Sequence, residues 1–86
     1  MKYAESYNRI LHIHMADGSV FEIAQKPIEY LIDLARSQEL IHCARGILVN
    51  RRYINKVDIT NKRIWLEDGT CLKIGMCYVE SVKMIY

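Results

Sequence analysis

Arg45 stands where residue type and spacing in this chain say most about chemistry. Leu40-Ile41-His42-Cys43-Ala44 has the apolar weight of a strand, Gly46 supplies a tight turn, and Ile47-Leu48-Val49 re-enters apolar sequence before stopping on Asn50. A basic side chain held at a bend between two buried segments is how a scaffold presents a residue to a partner. The guanidinium fork suits phosphate oxygens, and it pairs with the O6/N7 edge of guanine in the commonest direct base contact. An ion pair that closes the turn is the alternative use of the same side chain.

The charge around Arg45 is segregated. Residues 42–63 carry Arg45, Arg51, Arg52, Lys56, Lys62 and Arg63 against Asp58 alone, whereas residues 1–41 hold four basic and six acidic side chains and residues 64–86 hold two and three. The net charge of +2 therefore hides a basic middle third. Such a cluster creates a local field that attracts polyanions, unless its members end on different faces of a hairpin and merely solubilise it. Arg51 and Arg52 are candidates for phosphate contact or solvated turn residues, and Asn50 is expected to bond backbone at the bend.

Other chemistry is thinly represented. His12 and His14 alternate on one strand face, and a metal site there needs a third ligand such as His42 from an adjacent strand in register. His42 and Cys43 are no dyad, because neighbours on a strand point to opposite faces. Three cysteines without CxxC spacing argue against a disulfide framework and a structural zinc site. A Cys43–Cys71 pair needs Cα atoms within about 7 Å, and buried, inert thiols are the expectation. Without a phosphate loop, nucleophile elbow or zinc-protease motif, the expectation is a non-enzyme that needs no metal and no cofactor.

A chain of 86 residues is one domain that buries only about 60–65% of its unfolded surface, which leaves no room for a deep, enclosed active site. No apolar run is long enough to cross a bilayer, and the N-terminus has no signal-peptide h-region, so a cytoplasmic protein without membrane contact is expected.

The elements that position these residues follow from periodicity. Leu11, Ile13 and Met15 alternate with Ile10, His12 and His14, and Asp17-Gly18 turns the chain back through Phe21-Glu22-Ile23, which makes a hairpin. Pro27 followed by Ile28, Leu31, Ile32 and Ala35 at helical spacing predicts one short covering helix near residues 27–37. Beyond Gly46 a meander is expected: Ile54 to Ile59, Arg63 to Glu67, an Asp68-Gly69 turn, and Thr70 to Ile74. The total is five strands and a helix. Val79 and Val82 fit a closing helical turn, with Met84-Ile85-Tyr86 packing back as a short strand.

The order of these elements resembles the LytTR DNA-binding domain, the output module of many bacterial response regulators. Ile41, Cys43, Arg45, Leu48, Val49, Asn50 and Ile54 fall in register with its signature strand and bend. Asn8, Arg9, Leu11, Ile13, His14, Asp17 and Gly18 match its first hairpin, and Ile64, Leu66, Asp68, Gly69, Leu72 and Ile74 match its last. The resemblance spans nearly the whole chain and implies a mainly β (α+β) fold of antiparallel strands in an elongated arrangement, lacking a strand or two before Met1. It implies double-stranded DNA as partner, with loops in successive major grooves, a homodimer on direct-repeat sites, and an upstream receiver or sensor domain.

Asn8 and Arg9 occupy the loop where the family's base- and phosphate-contacting residues lie. Lys73 stays beside the loop where the family usually carries Ser-Arg-Arg and this chain has Gly75-Met76-Cys77. That departure removes cations, and a protein-interaction or dimerisation module that retains the fold without DNA readout is the alternative function. The contact set implied is Asn8, Arg9, Arg45, Arg51, Arg52 and Lys73.

Overall fold

In the computed structural model, which describes residues 1–34 and 40–85, strands dominate. The order is β1 (Tyr3–Tyr7), β2 (Ile10–His14), β3 (Val20–Ala24), α1 (Glu29–Leu34), β4 (Leu40–Ala44), β5 (Ile47–Asn50), β6 (Ile54–Asp58), β7 (Arg63–Leu66), β8 (Cys71–Lys73) and α2 (Val79–Ile85). Short 3-10 turns at Arg51–Tyr53 and Met76–Tyr78 precede β6 and α2. The strands form two antiparallel sheets, β3-β2-β1-β5-β4 and β6-β7-β8.

The expected count of five strands is too low. Tyr3–Tyr7, given no element from sequence, is the central strand of the larger sheet, with Tyr3 opposite both His14 and Val49. The segment through Arg45 is a hairpin of two strands. The expected helix is present as α1, although Ala35 and residues 36 and 37 of its proposed range lie outside the described residues. Met84 and Ile85 close α2 instead of forming a strand, because Val82 at 0% exposure anchors that turn in the core; Tyr86 lies outside the described residues.

The alternation of side chains gives the larger sheet two buried faces. Ala4, Leu11 and Leu48 point to one side and pack with Ile28 and with Leu31 of α1. Ile41, Cys43 and Val49 point to the other and meet Ile64, Leu66 and Leu72 of the smaller sheet, with Ile74 and Val82. The larger sheet is thus the middle of three layers, with α2 packed along β4. Each buried aliphatic side chain here contributes about 1.5–3 kcal/mol by leaving water.

Turn chemistry fixes the register. Asp17 accepts hydrogen bonds from the Ser19 amide (2.9 Å) and hydroxyl (2.6 Å) beside Gly18, and Asp68 accepts from the Thr70 amide (2.9 Å) beside Gly69. These short local bonds hold the chain reversal without help from the core.

Candidate nucleic-acid interface

Following the chain through the registers puts five turns at one end of the molecule. The β1–β2 turn is Asn8-Arg9, the exit from β3 is Gln25-Lys26-Pro27, the β4–β5 turn is Arg45-Gly46, the β6–β7 turn runs through Lys62, and β8 leaves into Gly75-Met76-Cys77. Backbone hydrogen bonds stitch them into one rim: Gln25 N–H to Arg9 O (2.8 Å), Ser6 N–H to Gly46 O (2.7 Å), Gly75 N–H to Cys43 O (2.9 Å) and Ile74 N–H to Lys62 O (2.9 Å).

The rim is basic. Arg9, Lys26 and Arg45 sit in its turns and are exposed, Lys62 is half-buried, and Arg63 and Lys73 pair in register at its strand ends. Asp58 is occupied by Asn61, which donates from its amide (3.0 Å) and side chain (2.8 Å), so local hydrogen bonds hold the Asp58 carboxyl below its ordinary pKa. Arg63 folds back, Nη1 donating to Lys62 O (3.2 Å) and Asn61 O (3.4 Å).

Left-handed backbone is unevenly distributed. Among the described residues the non-glycine residues with positive φ are Asn8 (51°), Arg9 (62°), Gln25 (59°) and Lys62 (54°), and all of them lie on this rim. The opposite end uses Gly18 and Gly69. Two consecutive left-handed residues make Asn8-Arg9 a type I′ turn, whose second position favours glycine; arginine there costs about 1–2 kcal/mol.

At Gly46 the geometry does require glycine. Its φ is 77°, and an added Cβ would lie 3.4 Å from the Ser6 Cβ, so the Arg45 turn seats directly against β1. The irregularity between His42 and Ala44 in the β4–β5 register bends β4 just before Arg45 and aims that turn outward. A Cβ added at Gly75 would meet the Tyr78 ring at 3.0 Å and lie 3.5 Å from the Ala44 Cα. Beyond Gly75, Met76 projects with 82% of its surface exposed.

The contact set expected from sequence divides. Asn8, Arg9 and Arg45 share the rim, with Lys73 at its flank. Arg51 and Arg52 follow β5, which carries the chain across the sheet to the far end, where Lys2 Nζ meets Asp68 Oδ2 at 2.5 Å. Asn50 is structural: its Nδ2 donates to Met1 O (2.9 Å) and its Oδ1 accepts from the Arg52 amide (3.0 Å). Lys26 and Gln25 were missed, since a lysine before a helix-starting proline carries no signal of its own.

The histidines are also placed. Two strands separate β2 from β4, so His42 is not the third ligand imagined for His12 and His14. Acidic neighbours, absent in sequence, arrive across the sheet, since Glu5 and Glu22 flank His12 in register and Glu22 Oε2 lies 3.5 Å from Nδ1. Among the described residues no cluster of three or more His, Cys, Asp or Glu side chains is arranged to hold a metal. All three thiols are free; burial pushes Cys43 up to about 12, and its Sγ faces Lys73 O (3.6 Å), whereas Cys71 and Cys77 are exposed, contrary to expectation. Cys71 alternates with core-facing Leu72, which turns it away from Cys43.

Among the described residues no helix is long and apolar enough to cross a membrane. The family model of the LytTr DNA-binding domain matches residues 1–86. Comparison with curated proteins yields no match.

Proposed function

This chain belongs to the LytTR family of DNA-binding domains, and we propose that it is the sequence-specific, cytoplasmic DNA-binding domain of a bacterial transcriptional regulator. The observation that carries this reading is the rim: Asn8-Arg9, Arg45-Gly46 and Gly75-Met76-Cys77 lie side by side, linked by backbone hydrogen bonds.

Duplex recognition needs cations that neutralise phosphates and side chains that reach base edges. Arg9 and Lys73 serve the first need. Arg45 and Asn8 are suited to the second, Arg45 by bidentate pairing with guanine and Asn8 by the two-point match of an amide to adenine. Five strands at about 4.8 Å spacing make the larger sheet's part of the rim roughly 19 Å wide, or about six base pairs at 3.4 Å each. The loops of this rim are proposed to enter successive major grooves of the duplex. A homodimer on direct repeats and an upstream receiver or sensor domain of a response regulator complete the proposal.

The deciding experiment is a titration of labelled duplex at several salt concentrations. Each neutralised phosphate adds roughly −0.9 to the log–log slope, so a slope near −3 or steeper is expected. A flat response removes nucleic acid as the partner. One observation favours a second reading: Met76, 82% exposed, stands where the family usually has an arginine, and an exposed thioether suits protein contact. A domain that binds a protein through this loop would also show a flat salt response.

A further inference from the structure

We infer that the hollow lined by Ser6, Arg9, Gln25, Lys26 and Pro27 is a binding site for a backbone phosphodiester of duplex DNA. It rests on the DNA-binding reading above and extends the interface beyond the three family loops, to the segment between β3 and α1.

The hollow is lined by two cationic residues, a hydroxyl and a side-chain amide, and among the described residues no carboxylate lines it. That donor set matches a phosphodiester, which offers only acceptors and one negative charge. Its walls are fixed. The Gln25 amide donates to Arg9 O (2.8 Å), tying the two turns together, and the Ser6 amide donates to Gly46 O (2.7 Å), so the hollow is coupled to the Arg45 turn by backbone alone. Arg9 and Gln25, joined by the first of these bonds, are both left-handed. Lys26 Nζ stands over the Tyr30 ring, 5.2 Å from its centroid. A phosphate seated here lies one strand from the Arg45 turn, so the hollow holds the register of the duplex while Arg45 reads a base.

The test measures binding of two unrelated duplexes at two or more salt concentrations for the parent, Lys26→Gln, Ser6→Ala, Lys26→Arg and Arg45→Ala. Lys26→Gln is expected to weaken both duplexes by the same factor, about 5-fold, and to make the log–log slope shallower by roughly 0.9. Lys26→Arg restores both quantities, which a loss of packing on Tyr30 would not explain for affinity and slope together. Ser6→Ala weakens both duplexes by about 2-fold without changing the slope.

If the parent binds no duplex in a salt-dependent way, the DNA-binding reading fails, and the hollow with it. If the parent binds with a steep slope and Arg45→Ala weakens it while Lys26→Gln changes neither affinity nor slope, the hollow is refuted and the reading survives. Inorganic phosphate at millimolar concentration is expected to leave the melting temperature of the parent and of Lys26→Gln shifted equally. A shift confined to the parent would overturn the assignment to the DNA backbone in favour of free phosphate.

Discussion

The Ser6 amide donates to the Gly46 carbonyl across 2.7 Å, and this bond sets the spacing between the Asn8-Arg9 and Arg45-Gly46 turns. Ser6 is two residues from one turn and Gly46 belongs to the other, so neither can shift along the sheet without breaking the bond. A pair of contact residues 36 positions apart in sequence, Arg9 and Arg45, is thereby held as one rigid edge.

Arg9→Gly is expected to stabilise the fold by about 1 kcal/mol, because it relieves left-handed arginine in the type I′ turn. The same variant binds duplex DNA more weakly. Urea melts and an anisotropy titration check the two halves, and a variant that is less stable than the parent would refute the strain argument.

Arg45→Ala is expected to cost about 1–3 kcal/mol of specific binding while the urea midpoint stays put, since Gly46 and the Ser6 bond hold the bend without the guanidinium. Loss of cooperative unfolding in this variant would make Arg45 a structural residue.

Asn50→Ala has the opposite signature. It orphans the Met1 carbonyl and the Arg52 amide, so stability should fall by about 1–3 kcal/mol. The salt slope of the molecules that remain folded is unchanged, because the far end of the sheet does not face the rim.

Met76→Arg with Cys77→Arg restores cations to the loop seated against Ala44. Tighter duplex binding and a steeper salt slope are expected. Weaker association with a protein partner, with no gain on DNA, is what the interaction-module reading requires instead.

Stability should also fall with acid in a window set by His14. Burial, followed by the nearby charges of His12 and Lys2, lowers its pKa below the ordinary 6.5 and outweighs the raising effect of Glu5. The unfolded chain then binds the proton more readily, so this contribution is complete above pH 6.5 and is lost as pH falls through the lowered folded value. His14→Phe keeps the ring that stacks on Tyr3 at 4.1 Å and should flatten urea midpoints measured between pH 7.5 and about 5. Asp17 and Asp58 titrate below 3.8 and leave that window clear.

The first hairpin, the covering helix, the Arg45 bend and the role of Asn50 were legible because each rests on local signals: alternation, aspartate-glycine turns, a proline at a helix start. β1 was not. In Tyr-Ala-Glu-Ser-Tyr only Ala4 is fully buried, so a strand made central by its neighbours carries almost no apolar pattern of its own. Arg51 and Arg52 follow Arg45 closely in sequence, yet β5, at about 3.3 Å per residue, spans the sheet between them, a separation that closeness along the chain does not reveal. Lys26 joined the site only through Gln25 and Arg9, a contact no periodicity encodes.

The central position of β1 bears on how the binding edge comes into being. The β1–β2–β3 meander closes locally, but the register of Tyr3 with Val49 joins segments more than half the chain apart, and such closures are slow because loop entropy is lost before contacts are gained. Until that seam zips, the Arg9 and Arg45 turns belong to separate, independently moving hairpins. The edge therefore exists only in the fully assembled domain, and any duplex that recognises it must stabilise the native state in proportion to its concentration over Kd.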